Sequence, residues 1–421
     1  MYQSYYLTIT GDRKVSDSLS ATRTFSKNIP LEALRGIAAV AVVLCHSLMA
    51  FFSTGRDGVP NLFGGLTKYP FYFMFNGGAA VNFFFVLSGF VLVRKYLITG
   101  DDSIIYKGAV KRWPRLAFPV LISLLVSWVL FSLSLYSHTE AGQKLGSVWL
   151  ETFGGASPAP VSPMLTEVLY QALIGVFIGT GAQFNTVLWT MNYELVGSFV
   201  VFGMALYLGQ SKGRDVLIKA LPLAIITYLL VRANPYLITF VLGVLAAVVI
   251  DPREKQSRSV FYVLTAAFAF YLLGYVNGAG GSYAPVSGIL GSSAEEFKIY
   301  LYAVASMLLI WSTERSSILS RLLSGRVAVF LGKASFPIYL MHWLVLCSIG
   351  SWTYLQLSAL GYGVYANVGA FAVTVVVAFI ASVPMIWLDA WWVKAINRVT
   401  SLLMGRDPVR RPQDTPKIIE L

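Results

Sequence analysis

Apolar residues in this chain gather into long stretches separated by short polar segments, and at least nine stretches approach the ~20 residues an α-helix needs to cross a bilayer. They predict an all-α, polytopic integral membrane protein with about ten transmembrane helices. Their approximate positions are 32–52, 76–97, 113–136, 186–208, 216–232, 235–250, 259–276, 298–312, 333–351 and 367–392. A further stretch, Leu165 to Gly181, is apolar but short and Gly-rich, and is expected to be re-entrant or interfacial. The basic residues give an independent test. With the N-terminus in the cytoplasm, only Arg56, Lys68, Lys144, Arg232 and Lys298 fall outside, and the rest of the 32 Lys and Arg fall inside. Ten spans with both termini cytoplasmic satisfy this asymmetry, whereas a crossing at 165–181 would spoil it. The expected organisation is a cytoplasmic tail over 1–28, a transmembrane domain over 29–398 and a charged, Pro-rich, disordered tail over 399–421. Residues 1–28 carry no apolar core followed by a small-residue cleavage site, so no cleaved signal peptide is expected.

Composition agrees: 56% of residues are hydrophobic and 12% charged, with a mean hydropathy of +0.67, more apolar surface than a water-soluble domain can hide. Cys45 and Cys347 both fall in apolar spans, which argues for packing and against a disulfide framework or a thiolate metal site. The net charge of +12 sits in short clusters at the ends of apolar segments, where anchoring and topology explain it better than nucleic acid does. No metal site is expected.

Chemistry enters with the ionisable residues inside the spans, which are costly there. Arg35 and His46 lie eleven residues apart in the first span. A helix puts them on one face, roughly 16 Å apart along its axis, a permanent cation near one mouth and a proton acceptor well inside. Arg112 and Arg115, three apart in KRWPR, share a helix side. With Arg35 they gather three guanidinium groups at the cytoplasmic surface, a candidate dock for phosphates, although ordinary membrane anchoring explains each singly. Glu194 is the deep acidic residue, at about the depth of His46, either orienting its ring or bonded to a neighbouring helix. His342 follows Tyr339 by one helical turn, so a packing role is as natural for it as a catalytic one, and Glu32 is placed to pair with Arg35. His138, in an external loop, says little.

These residues carry a resemblance. The chain resembles the acyltransferase 3 family of polytopic membrane O-acyltransferases, whose first span carries Arg or Lys, ten residues, then His, here Arg35 to His46. VNFFFVLSGFVL matches the family's FF-LSGF signature through Phe84, Phe85, Leu87, Ser88, Gly89 and Phe90, and Arg112 and Arg115 match its RxxR. LWTMNYEL resembles its Trp-to-Glu segment, and LGKASFPIYLMH its late Gly-x-x-Ser-Tyr-x-x-Tyr-x-x-His pattern, with Phe336 where the family usually has Tyr. The resemblance implies transfer of an acyl group, commonly acetyl, from cytoplasmic acyl-CoA to a hydroxyl on an extracytoplasmic glycan, lipid-linked sugar or small molecule. Arg35, Arg112 and Arg115 would hold the coenzyme phosphates, and His46 would act as base or acyl relay with Glu194 as its orienting partner. Ser88, Tyr339 and His342 would be supporting residues. Acyl-CoA is a co-substrate, and no tightly bound cofactor is expected. The expected location is the bacterial cytoplasmic membrane. The rivals are a proton-coupled secondary transporter of sugars or anions, for which membrane-embedded His and Glu are equally natural, and a scaffold whose polar residues merely join helices. Ser88-Gly89 is read as a small pair admitting close helix approach, and acceptor specificity is assigned to the loops around 137–185 and GAGGSYAPVSG.

Overall fold

The computed structural model describes residues 28–54, 61–155, 164–209, 214–250, 256–291 and 294–404. Residues 1–27 of the first expected tail, 405–421 of the second and the Pro-rich part of the first long loop, 156–163, lie outside them, whereas 399–403, expected in the second tail, continue the last helix. Ten principal helices follow in order: α1 (Ile29–Phe52), α2 (Gly77–Thr99), α3 (Ser103–Ser132), α4 (Thr190–Leu208), α5 (Arg214–Ala233), α6 (Leu237–Val249), α7 (Val260–Leu273), α8 (Ala294–Arg315), α9 (Arg326–Val345) and α10 (Val364–Leu403). Each overlaps one predicted stretch, and no strand is present among the described residues. Six are long and apolar enough to cross a membrane: α1, α2, α3, α4 with its preceding turn, α9 with its continuation to Ala359, and α10. The other four are shorter or more polar.

Local chemistry explains the starts. Asn28 caps α1, its side-chain oxygen accepting from Leu31 N at 3.2 Å, with Pro30 in the first turn. Asn76 caps α2 in the same way and, being buried, uses its amide to hold the Leu273 carbonyl at 2.8 Å. Helices then approach through small residues. A Cβ on Gly36 of α1 would lie 2.3 Å from the Leu331 carbonyl carbon of α9, and one on Gly89 of α2 would lie 2.2 Å from the Phe240 carbonyl oxygen of α6. The Ser88-Gly89 pair does admit a close neighbour, through its glycine.

Side-chain partners fix the helix directions. Arg35 meets Ser335 and His46 meets His342, so α1 and α9 run the same way. Asn367 bonds the Phe51 carbonyl while Val43 packs with Ala378, so α10 runs against α1. Gly108 faces Phe202, Arg112 bonds Ser198, and Ser127 reaches the Phe184 carbonyl just before α4, so α3 and α4 are antiparallel. The intervening segment Leu165–Ile178 therefore completes no net crossing. It is a short helix with a π-helical turn, held by Trp113 on the Leu173 carbonyl and by Asn192 on the Phe177 carbonyl. A second π-helical turn, Leu346–Gly350, follows His342 along the continuation of α9.

Candidate active site

The side chains singled out in the sequence fall into two groups, separated along α1 and α9. The first surrounds a cavity of about 200 Å³ between α1, α2, α3, α4 and α9, into which Arg35, Arg112, Arg115, Glu194, Ser88 and Tyr339 all reach. Its three guanidinium groups are each paired with a carboxylate. Arg35 bonds Glu32 at 2.7 Å and donates Nε–H to Ser335 at 3.0 Å. Arg112 pairs with Glu194 and donates Nε–H to Ser198 at 2.6 Å. Arg115 lays its fork on Asp389, Nη2 to Oδ2 at 2.9 Å. Ser88 completes the set, donating to the Glu194 carboxylate with both oxygens at 3.1 Å.

Glu194 is thereby occupied by Arg112 and Ser88, so the expectation that it orients His46 is corrected. The contact on the His46 ring comes from His342. The expected depth is what failed: Asn185 already bonds the Leu340 carbonyl beside His342, so α4 begins inside the bundle and Glu194, nine residues on, lies level with Arg112 and Ser88 rather than with His46.

The second group is the histidine pair. His46 Nδ1 lies 2.9 Å from His342 Nε2, and His342 Nδ1 lies 3.1 Å from the Ile338 carbonyl. A carbonyl only accepts, so with both rings neutral the His342 proton is on Nδ1. His342 Nε2 must then accept from His46 Nδ1–H, which leaves His46 Nε2 with the lone pair. His342 is fully buried and His46 half-buried. Two tryptophans pack on the His46 ring, Trp343 edge-on and Trp149 tilted, each 5.7 Å away between centroids.

Tyr339 stands between the groups. It lines the arginine cavity, its ring lies 5.9 Å from that of His342, and its hydroxyl donates to the Val187 carbonyl at 2.5 Å and contacts Thr190 at 2.8 Å. Its hydrogen bonds lead to the turn before α4 and the start of α4 rather than to His342, although the two share a face of α9. Sequence reasoning missed Asp389, Ser198 and Trp149. Asp389 had a signal, as a lone carboxylate in the apolar run VPMIWLDAWW; the other two had none. The cysteines are free and buried, as packing residues would be.

Against this geometry, the model of the acyltransferase 3 family, described as an acyltransferase domain, matches residues 28–387. The chain belongs to the acyltransferase 3 family. With six membrane-length apolar helices among the described residues, it is a multi-pass membrane acyltransferase of that family. The match takes in both groups of residues, from Arg35 to His342. Neither the curated proteins nor the solved structures compared with the chain give a match. The transporter reading has no support in the family or in the geometry.

Proposed function

We propose that this member of the acyltransferase 3 family moves a short acyl group, acetyl being the expected one, from cytoplasmic acyl-CoA to a hydroxyl of an extracytoplasmic glycan or other cell-envelope acceptor. The observation that carries this reading is the hydrogen-bonded line from the Ile338 carbonyl through His342 to His46, which prepares a neutral imidazole with its lone pair on Nε2. Ten crossings with both termini cytoplasmic accord with the charge asymmetry and with the relative directions of α1, α9 and α10 and of α3 and α4. They bring the arginine cavity to the inner side and the histidine pair toward the outer side.

In this mechanism His46 Nε2 takes the proton of the acceptor hydroxyl as its oxygen bonds to the acyl carbon. The carbon–sulfur bond breaks, and the proton passes from His46 to the leaving thiolate. His342 holds the His46 Nδ1–H throughout and stabilises the imidazolium that forms between the two transfers. At about 200 Å³ the arginine cavity is smaller than ordinary pockets for drug-sized ligands, roughly 300–1,000 Å³, so it suits the pantetheine arm and leaves the nucleotide at its mouth. The three carboxylates bound to Arg35, Arg112 and Arg115 make phosphate binding an exchange of partners rather than the filling of a bare positive site. Tyr339 separates the thioester from the outer compartment until the acyl group passes it.

The test is thiol release from acetyl-CoA by the purified protein in lipid nanodiscs, with and without a cell-envelope glycan extract, for wild type beside His46→Ala. Release that needs both His46 and acceptor is expected. Release unaffected by His46→Ala would remove the base from the mechanism.

A further inference from the structure

Trp149 is the residue that the mechanism leaves unused and the surrounding loop holds firmly in place. It belongs to the one-turn helix Val148–Glu151 in the loop after α3, and its ring lies 5.7 Å from the His46 ring at a tilt of 45°. The loop around it is tightly built. Ser137 N donates to the Cys347 carbonyl at 3.0 Å, tying the loop to the continuation of α9. A Cβ on Gly142 would come within 2.4 Å of Glu151 N, so the helix His138–Leu145 lies flush against the turn carrying Trp149. Phe153 sits at a φ of 54°, a strained conformation for a side-chain-bearing residue, with its buried ring 5.4 Å from that of Trp343. Trp343 is fully buried and meets Trp149 edge-on at 5.2 Å. Trp149 itself is only half-buried, and elsewhere on the same loop Gln143 donates to Glu151 at 3.2 Å. Packed against the core from behind and standing beside His46, this half-open indole keeps part of its surface free for a ligand.

We infer that Trp149 is the acceptor platform, a subsite for a pyranose ring that sets one sugar hydroxyl at His46 Nε2. This rests on the acyl-transfer reading above. An indole face carries partial negative charge, and the C–H groups on one face of a pyranose carry the complementary charge and pack flat upon it. The hydroxyls then project around the ring edge, one of them toward the base. A flexible lipid alcohol or a short polyol has no such flat face and gains little from an indole.

The experiment uses the full chain in lipid nanodiscs, acetyl-CoA as donor, and three methyl pyranosides (gluco, galacto and N-acetylglucosamino) beside glycerol as hydroxyl probes. Wild type, Trp149→Ala, Trp149→Phe and His46→Ala are compared, with donor KM measured in every preparation. The platform predicts His46-dependent acylation of a pyranoside in preference to glycerol. It also predicts an acceptor KM raised ten- to a hundredfold in Trp149→Ala, an unchanged donor KM, and recovery of most of that loss in Trp149→Phe. An unchanged acceptor KM in Trp149→Ala overturns it, as does a loss of donor binding in that variant, which would make Trp149 a structural residue. Acylation of glycerol in preference to every pyranoside overturns the platform while leaving the acyltransferase reading intact. No His46-dependent thiol release with any probe removes both.

Discussion

Replacing His342 tests the proposed chemistry most sharply, because its position in the sequence fits packing as well as catalysis, and the fold makes it the hydrogen-bond partner of His46, the proposed base. His342→Leu keeps an apolar side chain in a fully buried site and removes the acceptor that lies 2.9 Å from His46 Nδ1. His46 then loses both the contact that selects its tautomer and the partner that stabilises its charged form as a proton arrives. A hydrogen bond to a charged group contributes about 1.5–3 kcal/mol. At about 1.36 kcal/mol per factor of ten, the loss corresponds to a fall of roughly 10- to 150-fold in kcat/KM. His342→Gln returns an oxygen to about the position of Nε2 and is expected to recover most of the fall. The double variant His46→Ala/His342→Leu should be no slower than His46→Ala alone, since His342 acts only through His46. The assay is thiol release in nanodiscs, with thermal unfolding of each variant as the control for folding. If His342→Leu keeps kcat/KM within threefold of wild type, the relay is wrong.

Other outcomes follow from the same geometry. His138 is buried in the loop after α3, and burial pushes its pKa down to about 4 from 6.5. The undocked loop thus binds more protons between those values, so loop stability falls as pH drops from 6.5 toward 4, by up to about 3 kcal/mol, and is flat above that window. Hydrogen exchange across 138–151, corrected for intrinsic rates, should show the loss at pH 4.5 and not in His138→Phe; equal protection at both pH values would refute it. Arg112 and Glu194 are mostly buried, with 15% and 13% of their side chains exposed, so Arg112→Met or Glu194→Gln alone strands a charge and should cost about 3–5 kcal/mol. The double variant Arg112→Met/Glu194→Leu is expected to regain much of the lost melting temperature, and strictly additive losses would argue against the pair. Gly89→Ala forces a methyl group into the Phe240 carbonyl and should destabilise by about 1–3 kcal/mol in thermal unfolding, with no change expected if α2 and α6 are loosely packed.

The run lengths and charge placement in the sequence determined that the chain is helical, that it lies in a membrane, and about where each helix falls. A bilayer imposes those features residue by residue, through the cost of unpaired backbone groups and buried charge. The motifs also made His46, Arg35 and the RxxR arginines legible in the chain itself, and the Glu32–Arg35 pair needs only helical spacing. What stayed hidden was every partnership between distant segments. Glu194 and His342 both read as deep polar residues near His46, but α4 begins already inside the bundle, which carries Glu194 on to Arg112, and only His342 meets the imidazole. Asp389 reaches Arg115 from a helix 274 positions along the chain, and Trp149 reaches His46 only because a strained loop folds back over it. Spacing and helix face within one helix are local properties fixed by ~1.5 Å and ~100° per residue. Which faces meet is decided by packing many helices at once, and so the tertiary structure alone chose the histidine tautomer and set Trp149 beside His46.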